Sequence, residues 1–340
     1  MGAEQFSQPW YDDRVTTLWD PANPFGPAAW SESTDSPGPG QDDPAEHWPP
    51  KKIYEYLDEK VWKQDAAKRA AAMLVYNALG RGVKENAFFV GPTGCGKTHI
   101  WRCLRELYPQ HIAIVDASRL TNDGWAGSTK WTDLLRNPIL HTGQPAILVM
   151  DEADKFLIPR HNSEGDNISQ AVAGEGLKIL EGTQVEIKGK GLSVVVDTTH
   201  ISFVCCGAFS AKADQLAQSR RQRIGFGGSP VQAAYDRPLT EKDLLDCGVM
   251  PEFLGRFQRV VNLEPMAADD FSRMLDSSAG PVHRLQERYG VEIRLTQQRR
   301  RELADLAAET GLGVRGMENQ LRQLLDDALF ADHTQERLEF

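Results

Sequence analysis

The chain has 340 residues, of which 41% are hydrophobic and 25% charged, and a net charge of −10. That length fits two domains with a core large enough to need no covalent staples. No run approaches ~18 uninterrupted apolar residues, the five cysteines include no C-x-x-C pair, and the balance of charge is acidic. A membrane span, a disulfide framework, a zinc ribbon and a basic nucleic-acid footprint are therefore all disfavoured. The opening MGAEQFSQPW has neither a basic nor an apolar signal region, so a reducing cytoplasm is the expected compartment.

Residues 1–50 hold nine acidic residues against Arg14 alone, so the other 290 carry a net charge of only −2. They also hold nine of the 19 prolines. This composition predicts a disordered acidic tail, because it buries too little apolar surface to offset the entropy of ordering. Trp10, Trp19, Trp30 and Trp48 lie in it, either as short docking motifs or as rings that pack back on the body.

Helices are predicted over Lys51–Leu57 and Gln64–Leu79, the second ended by Gly80 and Gly82. Short apolar runs follow at Ala87–Val90, Ile112–Val115, Ile147–Met150, Ile201–Cys205 and Val260–Leu263. Near-continuous apolar strands spaced by helices read as a parallel sheet buried on both faces. After Glu264 the strand pattern disappears. Helices are predicted over Ala267–Leu275, Gln298–Glu309 and Arg315–Phe330. The fold class is therefore α/β, with a large domain over 51–264 and a small, mainly helical domain over 265–340.

GPTGCGKT, from Gly91 to Thr98, fits G-x-x-x-x-G-K-[S/T] in full, between a predicted strand and a predicted helix. Gly91, Pro92, Thr93, Gly94, Cys95 and Gly96 form a loop whose N–H groups can cradle phosphates, helped by the helix N-terminus. Lys97 would reach the β- and γ-phosphates of ATP and Thr98 would bind Mg²⁺. Asp151 and Glu152 end the apolar run Ile147–Met150. Asp151 would hold the metal through water, and Glu152 would polarise the attacking water.

Taken together, loop, acidic pair and helical lid resemble the AAA+ ATPases, and the finer matches resemble the ClpX-type unfoldases. The resemblance covers roughly residues 50–335 and implies a five-stranded parallel large domain with a helical lid. It implies that Val61 lies against the adenine, within Val61-Trp62-Lys63-Gln64, where the family has V-I-G-Q. Gly124-Trp125-Ala126-Gly127 matches the family's central pore loop, with Trp for the usual Tyr. MPEFLGRF, from Met250 to Phe257, is similar to the P-E-F-[I/L]-G-R box, which makes Arg256 a finger acting on a neighbouring subunit. GVRGMEN is similar to the sensor-2 segment, which puts Arg315 on the nucleotide. Ile224-Gly225-Phe226 matches the tripeptide that docks on a ClpP-type peptidase.

The resemblance thus implies a homo-oligomeric ring, a hexamer, that uses ATP and Mg²⁺ to unfold proteins and pass them to a peptidase. The alternative is a stand-alone remodeller of one complex, which the first two of three departures from the family pattern fit. The chain has no match to the family's zinc-binding domain, no R-K-H element after Leu180-Glu181-Gly182-Thr183, and shifted glycines in ISQAVAGEGLK. A factor acting on nucleic acid is disfavoured by the charge balance and by a Trp in the pore loop. No membrane partner is expected.

Overall fold

The computed structural model describes residues 48–121, 129–161, 165, 167–188, 193–210, 237–277, 280–310 and 313–340. The expected tail therefore lies outside the described residues, except at its end. There Trp48 sets its ring edge-on to Tyr56, 6.3 Å away, with Lys52 Nζ 3.9 Å from its centroid. This tryptophan packs back on the body.

Helix α1 (Pro50–Lys60) starts on a proline, whose missing N–H costs nothing in a first turn. Helix α2 (Asp65–Val75) runs on into a π-helical turn, Tyr76–Gly80. Strand β1 (Ala87–Val90) and helix α3 (Lys97–Leu107) then flank the glycine-rich loop, as predicted. Strands β2 (Ile112–Asp116), β3 (Ala146–Asp151), β6 (Ile201–Gly207) and β7 (Arg259–Asn262) complete a parallel sheet in the order β2-β3-β6-β1-β7.

Alternation along β1 shows why the sheet is buried on both faces. Phe88 and Val90 enter one core with Leu148, Phe203 and Phe253. Ala87 and Phe89 enter the other with Val149, Trp101 and Leu104. Successive strand side chains point to opposite faces, so one apolar run serves two layers.

Helices α4 (Trp131–Leu134), α5 (Asp154–Leu157) and α6 (Ile168–Glu181) lie between β2 and β6 in the chain. Strands β4 (Gln184–Lys188) and β5 (Ser193–Asp197) pair antiparallel, a hairpin the sequence pattern did not reveal. It follows Leu180-Glu181-Gly182-Thr183, the stretch after which the sequence lacks an R-K-H element. Among its described residues only Ile187 and Val196 are buried, which is too few for an apolar run to stand out. Helices α7 (Glu241–Asp246) and α8 (Pro251–Leu254) precede β7.

After β7, α9 (Ala268–Leu275), α10 (Pro281–Tyr289), α11 (Gln297–Thr310) and α12 (Gly313–Ala331) share a core of their own around Phe271, Leu285, Leu303, Leu321 and Leu325. The expectation that this part lacks strands is corrected. β8 (Glu292–Arg294) and β9 (Arg337–Glu339) pair in parallel. Each is three residues long and buries one side chain, Ile293 or Leu338, so no alternation could be read. Among the described residues no helix is long and apolar enough to cross a membrane.

Candidate nucleotide site

The loop from Gly91 to Gly96 caps the carboxyl end of β1, and Asp151 ends β3 on the other side of β6. Ligands of open parallel sheets bind at such strand ends. Gly91 is required by packing, since a Cβ there would lie 2.9 Å from both Cβ and the carbonyl oxygen of Leu263. Lys97 Nζ donates to the carbonyls of Gly91 and Pro92, each at 2.7 Å, which holds the ammonium at the mouth of the loop. Thr98 Oγ1 donates to Asp151 Oδ2 at 2.8 Å.

Glu152 follows with φ of 55°, a left-handed conformation for a residue with a side chain, and its N–H donates to Asp151 Oδ1 at 3.0 Å. Such backbone costs ~1–3 kcal/mol and is concentrated at functional sites. It turns the chain at once after the metal-type carboxylate and leaves the Glu152 side chain exposed at the rim.

Lys97, Thr98, Asp151 and Glu152 line a cleft of ≈ 1220 Å³, together with Val61, Arg315 and Arg284. Val61 is 4% exposed and supplies an apolar wall. Cys95 contributes backbone and bulk rather than reactivity, because burial pushes its thiol above the usual range.

The region after Val61, matched to V-I-G-Q in the sequence, makes contacts that the sequence did not show. Lys63 (φ 58°) and Gln64 (φ 65°) are both left-handed. The family pattern has glycine at the first position, which adopts this conformation freely; a lysine pays roughly 1 kcal/mol for it. Lys63 Nζ offsets that cost by donating to Pro265 O at 3.3 Å and Asp270 Oδ2 at 3.1 Å, both in the small domain. Gln64 is 2% exposed. Its Nε2 donates to Cys95 O at 3.2 Å and Glu264 O at 2.8 Å, and its Oε1 accepts from Glu264 N at 2.8 Å. One amide thus ties the phosphate loop to the interdomain linker. Trp62 packs on the small-domain core.

Lys68 lies within the helix predicted over Gln64–Leu79. Its side chain is buried, pairs with Asp58 and Asp65, and donates to Val61 O at 3.4 Å. Burial works against its charge, but the two carboxylates outweigh it and hold the ammonium above its ordinary range. A buried lysine has no sequence signature; only the i,i+3 spacing to Asp65 hinted at a partner.

Arg315, in the first turn of α12, faces the cleft, held close by Gly313 against Gly94. Arg256 does not line the cleft of its own chain. It forms an ion pair with Glu181, the last residue of α6. Gly124, Trp125, Ala126 and Gly127 lie outside the described residues, as do Ile224, Gly225 and Phe226. The stem of the first loop is described: Thr121 N donates to Thr129 O at 2.9 Å.

The arrangement, a phosphate cradle with a lysine, a hydroxyl beside a carboxylate and a second acid at the rim, fits phosphoryl transfer. A family model for the AAA domain (Cdc48 subfamily) matches residues 83–260. The ATP-dependent Clp protease ATP-binding subunit ClpX of Porphyromonas gingivalis is 30% identical over 319 residues, 83% of this chain and 77% of that protein. The protein of the same name from Treponema denticola is 30% identical over 322 residues, 83% of this chain and 76% of that one. ClpX 2 of Wolinella succinogenes is 30% identical over 326 residues, 85% and 79% of the two chains.

Proposed function

The chain belongs to the AAA ATPases of the ClpX type, and from that premise we propose that it forms a ring that unfolds proteins with ATP and Mg²⁺ and passes them to a ClpP-type peptidase. The observation that carries this reading is the Thr98–Asp151 contact at the mouth of a complete phosphate loop. A hydroxyl and a carboxylate side by side are hard oxygen donors and fit Mg²⁺. When bound, the metal neutralises charge on the β- and γ-phosphates.

The protein's own groups do the rest. Backbone N–H groups of Gly94–Thr98 and the α3 N-terminus hold the phosphates. Lys97 leaves the Gly91 and Pro92 carbonyls for the phosphate oxygens. Glu152 accepts a proton from the water it orients. Val61 excludes water from the base. Arg315 links nucleotide to the small domain, so that binding closes the hinge that Lys63 and Gln64 span.

The location of Arg256 outside its own cleft supports a ring, in which it reaches the site of a neighbouring subunit. Trp125, on a loop with a closed stem, would grip the substrate chain. Ile224–Phe226 would dock the peptidase.

The test is degradation of a fluorescently labelled unfolded protein by this chain with ClpP. We expect degradation that requires ATP, disappears in Glu152→Gln and is lost in Phe226→Ala with ATP turnover retained. ATP turnover without degradation would overturn the peptidase partnership and favour the stand-alone remodeller, which the lack of an R-K-H element also fits.

A further inference from the structure

We propose that Glu181 is a positioning residue that aims the Arg256 guanidinium across the subunit boundary, on a frame set by the buried amide of Asn86. This rests on the reading of Arg256 as a finger acting on a neighbouring subunit.

Three observations support it. First, Glu181 Oε1 pairs with Nη2 of Arg256, while Arg256 Nε is buried and has no hydrogen-bond partner among the described residues. One edge of the guanidinium is thus turned inward and one terminal nitrogen is held, which leaves Nη1 as the edge for a phosphate. The arginine side chain as a whole is 38% exposed.

Second, both partners hang from one amide. Asn86 is 3% exposed. Its Nδ2 donates to Arg256 O at 2.9 Å and to Leu180 O, the residue before Glu181, at 3.4 Å. Its Oδ1 accepts from Phe203 N at 2.9 Å and its N–H donates to Gln258 Oε1 at 2.6 Å. Every group of Asn86 is therefore bound to β6, to the end of α6 or to the finger segment, immediately before β1 leads into the phosphate loop.

Third, α6 is pinned where Glu181 leaves it. The buried Thr198 hydroxyl lies 3.0 Å from both Ile179 O and Thr183 O, which share its single proton as acceptors, and it accepts from Thr183 N at 2.9 Å. The carboxylate therefore stands on a rigid end. A free arginine samples many rotamers, and holding its planar fork in advance removes that ordering cost from the reacting state. A half-exposed ion pair contributes little to folding, so its loss should be read in turnover rather than in unfolding.

The test uses mixed rings. Subunits carrying Glu152→Gln keep the finger but cannot hydrolyse; subunits carrying Arg256→Ala keep the base but lack the finger. Mixing them restores ATP turnover wherever a finger-bearing subunit faces an intact site. Adding Glu181→Ala to the finger-bearing subunit should lower the restored kcat about tenfold with KM for ATP unchanged. Adding it to the finger-less subunit, where there is no guanidinium to aim, should shift kcat by less than about twofold. Glu181→Gln, which keeps an acceptor oxygen, should fall between. Equal losses in both placements, or none in the finger-bearing one, would overturn the positioning role. If the mixture without any Glu181 change restores no turnover, the finger reading itself fails and the proposal falls with it.

Discussion

Thr98 Oγ1 donates to Asp151 Oδ2 at 2.8 Å, joining residues 53 apart in the chain. Asp151 ends β3, whereas Thr98 lies in α3, which follows β1; β6 separates those two strands, which stand two strand spacings, about 10 Å, apart. Only the helix turn after the loop brings the hydroxyl back over the sheet. Asp151→Asn keeps a hydrogen-bonding oxygen for Thr98 but loses the charge. Its kcat should fall about 100-fold, ~2.7 kcal/mol of barrier, and its requirement for Mg²⁺ should rise. Turnover against Mg²⁺ concentration checks this; an unchanged curve would remove Asp151 from the metal.

Gln64 is the polar clasp between phosphate loop and linker. Gln64→Ala leaves Cys95 O, Glu264 O and Glu264 N without this partner, and should cost about 2–3 kcal/mol. Gln64→Glu, which sets a carboxylate against two carbonyls, should cost at least as much. Urea unfolding with an unchanged slope would read both; a midpoint equal to the parent's would refute the clasp.

Gly313 holds the small domain on the phosphate loop. Its φ is 58°, and a Cβ there would lie 3.1 Å from both Cα and the carbonyl oxygen of Gly94. Gly313→Ala should strain the start of α12 and push Arg315 off the cleft. ATP affinity should drop about tenfold while both domains stay folded. Binding of a fluorescent ATP analogue beside circular dichroism separates the two effects.

Lys84 gives a pH dependence of stability. Its Nζ donates to Thr198 O at 2.8 Å, yet burial brings its pKa down to about 8, against a smaller upward pull from Asp197. Between pH ~8 and ~10.4 the unfolded chain binds more protons at this site than the folded one, so stability rises with pH across that window. Below pH ~8 the full penalty of burying the charge remains. Lys84→Met should lose this rise. Unfolding midpoints at pH 7 and pH 9.5, parent against variant, test the sign; an equal rise in both would assign it elsewhere.

Much of the molecule was legible in its residues. The five sheet strands were marked by apolar runs such as Ala87–Val90, because burial on both faces of the inner strands leaves few polar positions. Gly91–Thr98 and Asp151-Glu152 were legible because phosphate and metal chemistry require those residue types at those spacings. Lys63 was not, since a left-handed lysine is acceptable only where Asp270, 207 residues away, offsets it. The hairpin β4–β5 and the pair β8–β9 escaped for a different reason: each strand buries too little to leave a period.

By itself the sequence determined the sheet, the phosphate loop, the acidic pair and the family, because these depend on local pattern and on chemistry written in consecutive residues. The tertiary structure alone decided that Gln64 clasps loop to linker, that Arg256 stands outside its own cleft beside Glu181, and that one Asn86 amide holds both their backbones. Those are long-range hydrogen bonds and ion pairs. Their energy depends on distance and burial, which no spacing along the chain encodes.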